Sequence, residues 1–328
     1  MADQVRIGVL GAARIAPAAV IGPARSSSAA SVVAVAARSS TKAHAFADKH
    51  GIGRVYSDYQ SLLDDPAVDA IYNPLPNGLH GRWTLAALTA GKHVLCEKPF
   101  TANASEAAEV AAAVGDRVVM EAFHYRYHPL ALRMAEIVAG GELGTLQHVE
   151  AHLCFPLPKF SDIRYDLALA GGAMMDAGCY ATSMVRLLGG EEPTVRSARA
   201  LVHGKDVDRA MHAELEFPSG HTGTLSASMW SIGSLLRISA KAVGTEGEMR
   251  VLNPIAPQFP HRLSVRANGN RRVERFTRRS SYAFQLDAFT DAVLHGKPFP
   301  TTPTDAVANM TVIDNVYRAA GLPIRQPS

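Results

Sequence analysis

Val5-Arg6-Ile7-Gly8-Val9-Leu10-Gly11-Ala12-Ala13-Arg14-Ile15-Ala16 is an apolar run that meets a glycine and then turns toward a helix starting near Pro17. Short β-branched runs of this kind read as buried strands, and glycine is the residue that tolerates the backbone of so tight a turn. The spacing follows G-x-G-x-x-G with only the first glycine kept: Gly11 takes the first position, Ala13 the second and Ala16 the third. Side chains are thus small wherever a backbone and a pyrophosphate would have to approach. The amides of Ala12, Ala13, Arg14 and Ile15 at the helix start suit an anion. A purely structural strand-to-helix turn gives the same pattern, so the surrounding chain has to arbitrate.

Outward from this stretch, β-branched runs alternate with alanine- and leucine-rich segments. Strands are expected at Val5 to Leu10, Ser31 to Ala37, Ala70 to Asn73, His93 to Cys96 and Arg117 to Met120. Helices are expected at Thr41 to His50 and His80 to Ala90, each closed by a glycine, and after the capping sequence Asn103-Ala104-Ser105-Glu106. That alternation predicts an α/β, doubly wound parallel sheet over residues 1–124, of the Rossmann type. Past His128-Pro129 the pattern changes. A helix at Leu130 to Ala139, a strand at Thr145 to Phe155, a helix after Gly171-Gly172 and serial alternating runs from Val195 to Arg275 predict an α+β domain over 125–328. Turn signals at Pro218-Ser219-Gly220 and Asn268-Gly269-Asn270 make its large open sheet mostly antiparallel.

Composition fits two domains with ordinary cores: 328 residues, 47% hydrophobic and 19% charged, with a formal net charge of only +3. The basic patch Arg271, Arg272, Arg275, Arg278 and Arg279 is broken by Val273, Glu274 and Phe276, which reads as a solvated strand face or interface, with no nucleic-acid partner expected. Three scattered cysteines, Cys96, Cys154 and Cys179, form no disulfide or zinc spacing. With no apolar stretch of spanning length and no leader sequence, a cytoplasmic protein that engages no membrane is expected.

The end of the second strand, Ala37-Arg38-Ser39-Ser40-Thr41-Lys42, carries no carboxylate for a ribose 2′-hydroxyl. Arg38, Ser39, Ser40 and Lys42 can instead receive a 2′-phosphate. Charge-assisted hydrogen bonds contribute roughly 1.5–3 kcal/mol each, so one or two would favour NADP over NAD by about one to three orders of magnitude. A solvated loop carrying a helix cap is the alternative.

Two further loops leave the carboxyl ends of strands. Tyr72-Asn73-Pro74-Leu75-Pro76-Asn77-Gly78-Leu79-His80 places Pro74, Leu75, Asn77 and His80 where the nicotinamide half of a dinucleotide would lie. Glu97-Lys98-Pro99 follows the next strand, and Pro99 disfavours a helical Lys98. Lys98 is either a snorkelling strand end or an ammonium that orients a hydroxyl and favours the ionised form of a neighbouring phenol. Gly171-Gly172-Ala173-Met174-Met175-Asp176-Ala177-Gly178-Cys179-Tyr180 supplies a phenol, with Asp176 and Tyr180 four apart on one helix face. They form either a functional pair or a core aromatic with its hydrogen-bond partner.

Glu97-Lys98-Pro99, Tyr125-Arg126-Tyr127-His128-Pro129 and the Gly-Gly-x-x-x-Asp-x-Gly-x-Tyr run together resemble the Gfo/Idh/MocA family of oxidoreductases over nearly the whole chain. Tyrosine at position 180, the Gly-Ala-Ala-Arg-Ile-Ala turn and Arg38-Ser39 are similar to its NADP-using branch, which contains glucose-fructose oxidoreductase, D-xylose dehydrogenase and dihydrodiol dehydrogenase. The resemblance implies hydride exchange between a nicotinamide and a carbinol carbon of a sugar, cyclitol or dihydrodiol, without a metal. It makes Tyr180 the proton donor or acceptor, Lys98 its neighbour beside the nicotinamide and Asp176 a substrate-positioning carboxylate. Arg126 and Arg164 become substrate candidates, with Glu97, His80 and Arg164 also near the coenzyme; for Arg164, in Ser161-Asp162-Ile163-Arg164-Tyr165, a surface ion pair is the alternative. It further implies a homodimer or homotetramer formed through the open sheet. A non-catalytic NADP(H)-binding regulator and a dinucleotide-dependent glycosidase share the fold, and retention of both Lys98 and Tyr180 argues against the first. His128, His148 and His152 read as structural.

Overall fold

The computed structural model describes residues 4–230 and 236–328. They fall into two compact units. One comprises the chain up to His124 together with Ser280–Val307, the other Tyr125–Arg279 together with Ala308–Gln326.

The first unit opens with β1 (Val5–Leu10), a π-helical turn at Pro17–Ile21 that continues into α1 (Gly22–Arg25), β2 (Ala30–Ala36), α2 (Ser40–His50), β3 (Arg54–Tyr56) and α3 (Tyr59–Leu63). It continues through β4 (Ala70–Asn73), α4 (His80–Thr89), β5 (His93–Cys96), α5 (Ala104–Ala113) and β6 (Val119–Glu121). The six strands lie parallel in the order β3-β2-β1-β4-β5-β6. Strand order therefore reverses between β1 and β4, which creates a crevice at their carboxyl ends. Gly11 and Pro74 leave the sheet there. Apolar side chains of the central strands, Val9, Leu10, Ile71, Tyr72, Val94 and Leu95 among them, are essentially inaccessible to water, as expected for a sheet covered on both faces.

The short β3 and α3 have no counterpart in the expected element list. A three-residue strand carries too few residues for a period to show, although Asp58, whose carboxylate accepts from the Ser61 amide at 2.8 Å, is a readable helix cap. Residues 280–307, expected in the second domain, cluster with the first unit. The reason is packing. The helix Ser281–His295 lays Leu286, Phe289 and Ala292, all buried, toward β1 and the π-helical turn.

The second unit contains α6 (Pro129–Ala139), β7 (Leu146–Cys154), a π-helical turn at Met174–Gly178 running into α7 (Cys179–Gly189), β8 (Thr194–His203), β9 (Val207–Glu216) and β10 (Thr222–Ser228). Then come β11 (Arg237–Gly244), β12 (Gly247–Leu252), β13 (Arg262–Ala267) and β14 (Asn270–Glu274). With α8 as the Ser281–His295 helix, the last element is α9 (Pro303–Ala319), whose residues from Ala308 onward belong to this unit. The sheet runs β14-β13-β12-β11-β7-β10-β9-β8. Every pair is antiparallel except β7 with β10, which run parallel from Thr222 opposite His148 to Ser228 opposite Cys154. The fold is α/β, with a parallel Rossmann sheet and a separate, mostly antiparallel one.

α7 packs on β7 and β10 and is buried along nearly its whole length. On β7 the buried Val149, Ala151 and Leu153 alternate with His148, Glu150 and His152. Glu150 holds that second row together, 3.4 Å from His152, 3.5 Å from Lys241 and 3.8 Å from Arg237. Part of the basic patch is knitted into an ion network, with Arg133 at 2.7 Å from Glu142 and 3.0 Å from Glu274, and Arg272 on the same two carboxylates. Among the described residues no helix is long and apolar enough to cross a membrane.

Candidate active site

In the first unit the chain after β1 is drawn in tightly: the Gly11 amide donates to the Ala36 carbonyl at 2.6 Å. Gly11 sits at φ +82°, and a Cβ there would stand 3.2 Å from Leu75 Cδ2 and 3.9 Å from the Tyr59 hydroxyl. Arg14 and Ile15 are exposed, and Ala12 and Ala13 half-buried. No side chain of the capping residue closes the helix start at Pro17. An open, small-residue helix N-terminus without a side-chain cap is a cradle that fits a dinucleotide phosphate.

At the end of β2, Arg38, Ser40 and Lys42 are exposed, and Ser39 caps α2 by accepting from the Lys42 amide at 3.4 Å. Arg38 faces Tyr59: burial raises the Tyr59 pKa while the Arg38 charge pulls it back. Tyr59 in turn meets Trp83 edge-on at 4.8 Å, with the Arg82 guanidinium 5.3 Å from the Trp83 ring centre. Sequence reasoning passes over Tyr59, which lies outside every motif considered above.

The Lys98 loop is pinned from beneath. His80 is buried, with Nδ1 at 2.7 Å from the Pro99 carbonyl and Nε2 at 2.7 Å from the Leu75 carbonyl. Burial lowers its pKa to about 4, despite the two carbonyls that favour protonation. Each ring nitrogen lies against a carbonyl, and in the neutral ring the one that carries the proton donates to it, so His80 sits wedged between the β4–α4 loop and the Lys98 loop, away from the coenzyme contact expected from sequence. On the other side the Phe100 amide donates to the buried Glu121 carboxylate at 2.9 Å. Glu97 is also buried, accepting from the Tyr72 hydroxyl at 2.7 Å, which gives it a place in the core beneath the loop. Between these anchors Lys98 is half-buried and the Lys98–Pro99 peptide is cis. Pro74 and Asn77 are half-buried on the neighbouring loop, Leu75 buried. Tyr282, at the start of α8, is close enough to Glu97 for that carboxylate to add to burial in raising its pKa.

In the second unit Asp176 lies in the π-helical turn and Tyr180 one residue into α7. π-Helical turns recur at functional sites. The Asp176 carboxylate pairs with Arg164 at 3.2 Å, and Arg164 also bonds Asp162 at 3.1 Å. Arg164 is held charged chiefly by Asp176, which raises its pKa. Tyr180 is 7% exposed, its ring 6.1 Å from that of Tyr125, whose hydroxyl lies 2.8 Å from Ser183 Oγ. Arg126 is half-buried just before α6. Asp176 is thus already engaged by a guanidinium, which the spacing alone did not reveal.

Comparison with known proteins identifies the family. Residues 5–123 match the model of an oxidoreductase family with an NAD-binding Rossmann fold, Gfo/Idh/MocA, and residues 131–250 match a C-terminal domain of the same family. D-xylose 1-dehydrogenase (NADP(+)) 2 of Haloferax volcanii is 39% identical over 320 residues, covering 95% of this chain and 96% of that protein. Human trans-1,2-dihydrobenzene-1,2-diol dehydrogenase is 36% identical over 231 residues, covering 68% and 66%. Among solved structures, a 3-ketoreductase from Actinomadura kijaniata in complex with NADP and TDP-benzene superposes with a TM-score of 0.89 at 26% identity, covering 96% of this chain and 98% of that one. With both domain models matched and relatives alike along almost its full length, this chain belongs to the Gfo/Idh/MocA family of oxidoreductases.

Proposed function

We propose that this protein is an NADP(H)-dependent oxidoreductase that interconverts a secondary or anomeric alcohol of a sugar, cyclitol or dihydrodiol with its carbonyl form. The observation that carries this is the Lys98 loop: a half-buried lysine at the carboxyl edge of a dinucleotide-type sheet, its backbone pinned by His80 on one side and Glu121 on the other. Such bracing limits the backbone freedom of the lysine, which supports a role in holding a substrate oxygen. Gly11, Ala12, Ala13, Arg14 and Ile15 hold the pyrophosphate, while Arg38, Ser39, Ser40 and Lys42 receive the 2′-phosphate. Pro74, Leu75 and Asn77 line the nicotinamide half. Bound there, the coenzyme supplies two-electron hydride exchange with the carbinol carbon.

Tyr180 takes the hydroxyl proton in the oxidative direction and returns it in the reductive one. Lys98 donates to the same oxygen and stabilises negative charge developing on it. Asp176, oriented by Arg164, accepts from a neighbouring substrate hydroxyl, and Arg126 donates to a further one. The protein works as a homodimer or homotetramer built on the open sheet of the second domain, in the cytoplasm.

The test is NADP+ reduction followed at the reduced nicotinamide absorbance, with D-xylose first and then other pentoses, hexoses, cyclitols and aromatic dihydrodiols. Lys98→Ala and Tyr180→Phe should each lose at least about two orders of magnitude in kcat while NADPH fluorescence still reports binding. Either variant turning over at the wild-type rate removes the assigned roles.

A further inference from the structure

The second unit contains a buried charge cluster that the reaction does not use. Arg325 and Asp208 have side chains with no solvent exposure and face each other at 2.7 Å. Around the guanidinium, Nε donates to the Gly171 carbonyl at 2.7 Å, and Nη2 also to the Asp206 carbonyl at 3.0 Å. Nη1 donates to the Pro323 carbonyl at 3.0 Å, and the guanidinium carbon lies 4.3 Å from the centre of the Tyr317 ring. The Tyr317 hydroxyl donates to Asp208 Oδ1 at 3.0 Å. The other carboxylate oxygen, Oδ2, accepts from the Met174 amide at 2.6 Å.

The cluster grips one short stretch of backbone. Gly171 and Met174 bracket Gly172, whose φ is +139° and whose Cβ position would fall 2.1 Å from Asp208 Oδ1. The Gly172 amide donates to the Arg164 carbonyl at 2.8 Å, and the Gly172 carbonyl accepts from the Asp176 amide at 3.0 Å. The same backbone therefore sets the position of Asp176 and of the arginine that pairs with it. Tyr180 follows on the same helix.

We propose that Arg325 is a positioning residue: by locking Gly171 and Asp208 together it sets the placement of the π-helical turn that presents Asp176 and leads into Tyr180. A planar fork with several fixed donors does this where a lysine point charge does not. The inference rests on the proposed roles of Asp176 and Tyr180, but its geometry is readable without them.

Arg325→Lys keeps the charge and loses the fork. Its kcat should fall about tenfold to a hundredfold, the loss expected for a small misplacement of reacting groups, with NADPH affinity by fluorescence within about twofold of wild type. Amide hydrogen exchange over Gly172–Asp176, measured without ligand, should speed up. The double variant Asp208→Asn/Arg325→Met removes both charges, which leaves no unpaired ion to destabilise the fold. It should regain stability without regaining kcat. Wild-type kcat and exchange in Arg325→Lys, or wild-type kcat in the double variant, overturns the proposal. Should Arg325→Lys fail to fold, the double variant, which lacks the fork without leaving an unpaired ion, decides by the same two readouts. A wild-type protein that oxidises no polyol, while Arg325→Lys still loosens the Gly172–Asp176 amides, counts against the proposed function and leaves the positioning role standing.

Discussion

Gly11 and Gly172 each precede a helix that opens with a π-helical turn, and both have positive φ, +82° and +139°. What surrounds them differs. Gly11 faces a leucine methyl and a tyrosine hydroxyl, beside a helix start with exposed Arg14 and Ile15. Gly172 faces a buried carboxylate, a guanidinium and a phenol, all committed to one another. The first turn borders a helix start that no side chain of the capping residue closes, the place proposed for the pyrophosphate. The second is held by a buried ion pair and leads into the turn that carries Asp176, the side chain proposed to meet substrate.

The sharpest way to break this contrast is to put the same methyl at both turns. Gly172→Ala drives Cβ to within 2.1 Å of Asp208 Oδ1 and 3.0 Å of Arg325 Nη2, groups that cannot retreat without unpairing a buried charge. A loss of about 3–5 kcal/mol is expected, enough to deplete folded protein in a urea titration. Gly11→Ala meets Leu75 Cδ2 at 3.2 Å, the end of a flexible side chain, and should cost only the strain of the left-handed backbone, about 1–3 kcal/mol, with a greater proportional loss of NADPH affinity. Equal destabilisation by the two alanines would erase the distinction.

Next in size is the coenzyme preference carried by the first region. Arg38 is exposed and sits beside Tyr59, so its removal should leave the fold alone. Arg38→Ala is expected to weaken NADP+ about tenfold to a hundredfold, the value of one charge-assisted bond, and to leave NAD+ affinity within about threefold. Isothermal titration with each coenzyme checks it. Parallel losses for both would place Arg38 away from the 2′-phosphate.

These regions were unequally legible in the sequence. The Gly11 turn could be read because its signal is local: strand, glycine, small residues and helix follow one another within a dozen positions. Lys98, Asp176 and Tyr180 stood out for the same reason, as polar groups in short apolar or glycine-rich contexts. The partners that fix them come from afar. Arg325 lies 154 residues from Gly171 and 117 from Asp208, and Glu121 reaches the Phe100 amide across 21. No period or spacing encodes such pairs. His80 shows the cost of reading locally: a histidine on a coenzyme-side loop reads as a ligand, yet its ring is buried with a carbonyl against each nitrogen. Residues 280–307 show it at larger scale, since α8 looks alike in sequence whichever sheet it covers.

Acid should probe the second unit through His128, at the start of α6. Its Nδ1 accepts from the Leu130 amide at 3.1 Å, which requires the unprotonated nitrogen, and its Nε2 faces the Thr277 carbonyl at 3.2 Å. Burial lowers its pKa to about 4, the Thr277 carbonyl opposing and His261 adding to the shift. The unfolded chain, with the ordinary value of 6.5, then binds the proton more readily. Stability from this site is present above 6.5 and is lost as pH falls from there through about 4. His128→Asn supplies the same acceptor and donor without titrating. Its unfolding free energy should fall about 1–3 kcal/mol less than that of wild type across this window, and superimposable curves would show that the cap does not depend on protonation.

The smallest effect tests whether the first region really is loosely held for a ligand. Ser39 caps α2 through a bond of 3.4 Å to the Lys42 amide, long beside the 2.8 Å bond of Asp58 to Ser61 in the same unit. Removing a cap usually costs about 0.5–2 kcal/mol, so Ser39→Ala belongs at the bottom of that range and Asp58→Ala nearer the middle. If the Ser39 hydroxyl also serves a 2′-phosphate, its variant should lose more NADP+ affinity than stability, whereas Asp58→Ala should lose stability and keep affinity. A hydroxyl that matters equally to both would be a cap that a phosphate happens to approach. One that matters mainly to NADP+ would show that the turn gives up some of its own hydrogen bonding so that the coenzyme can complete it.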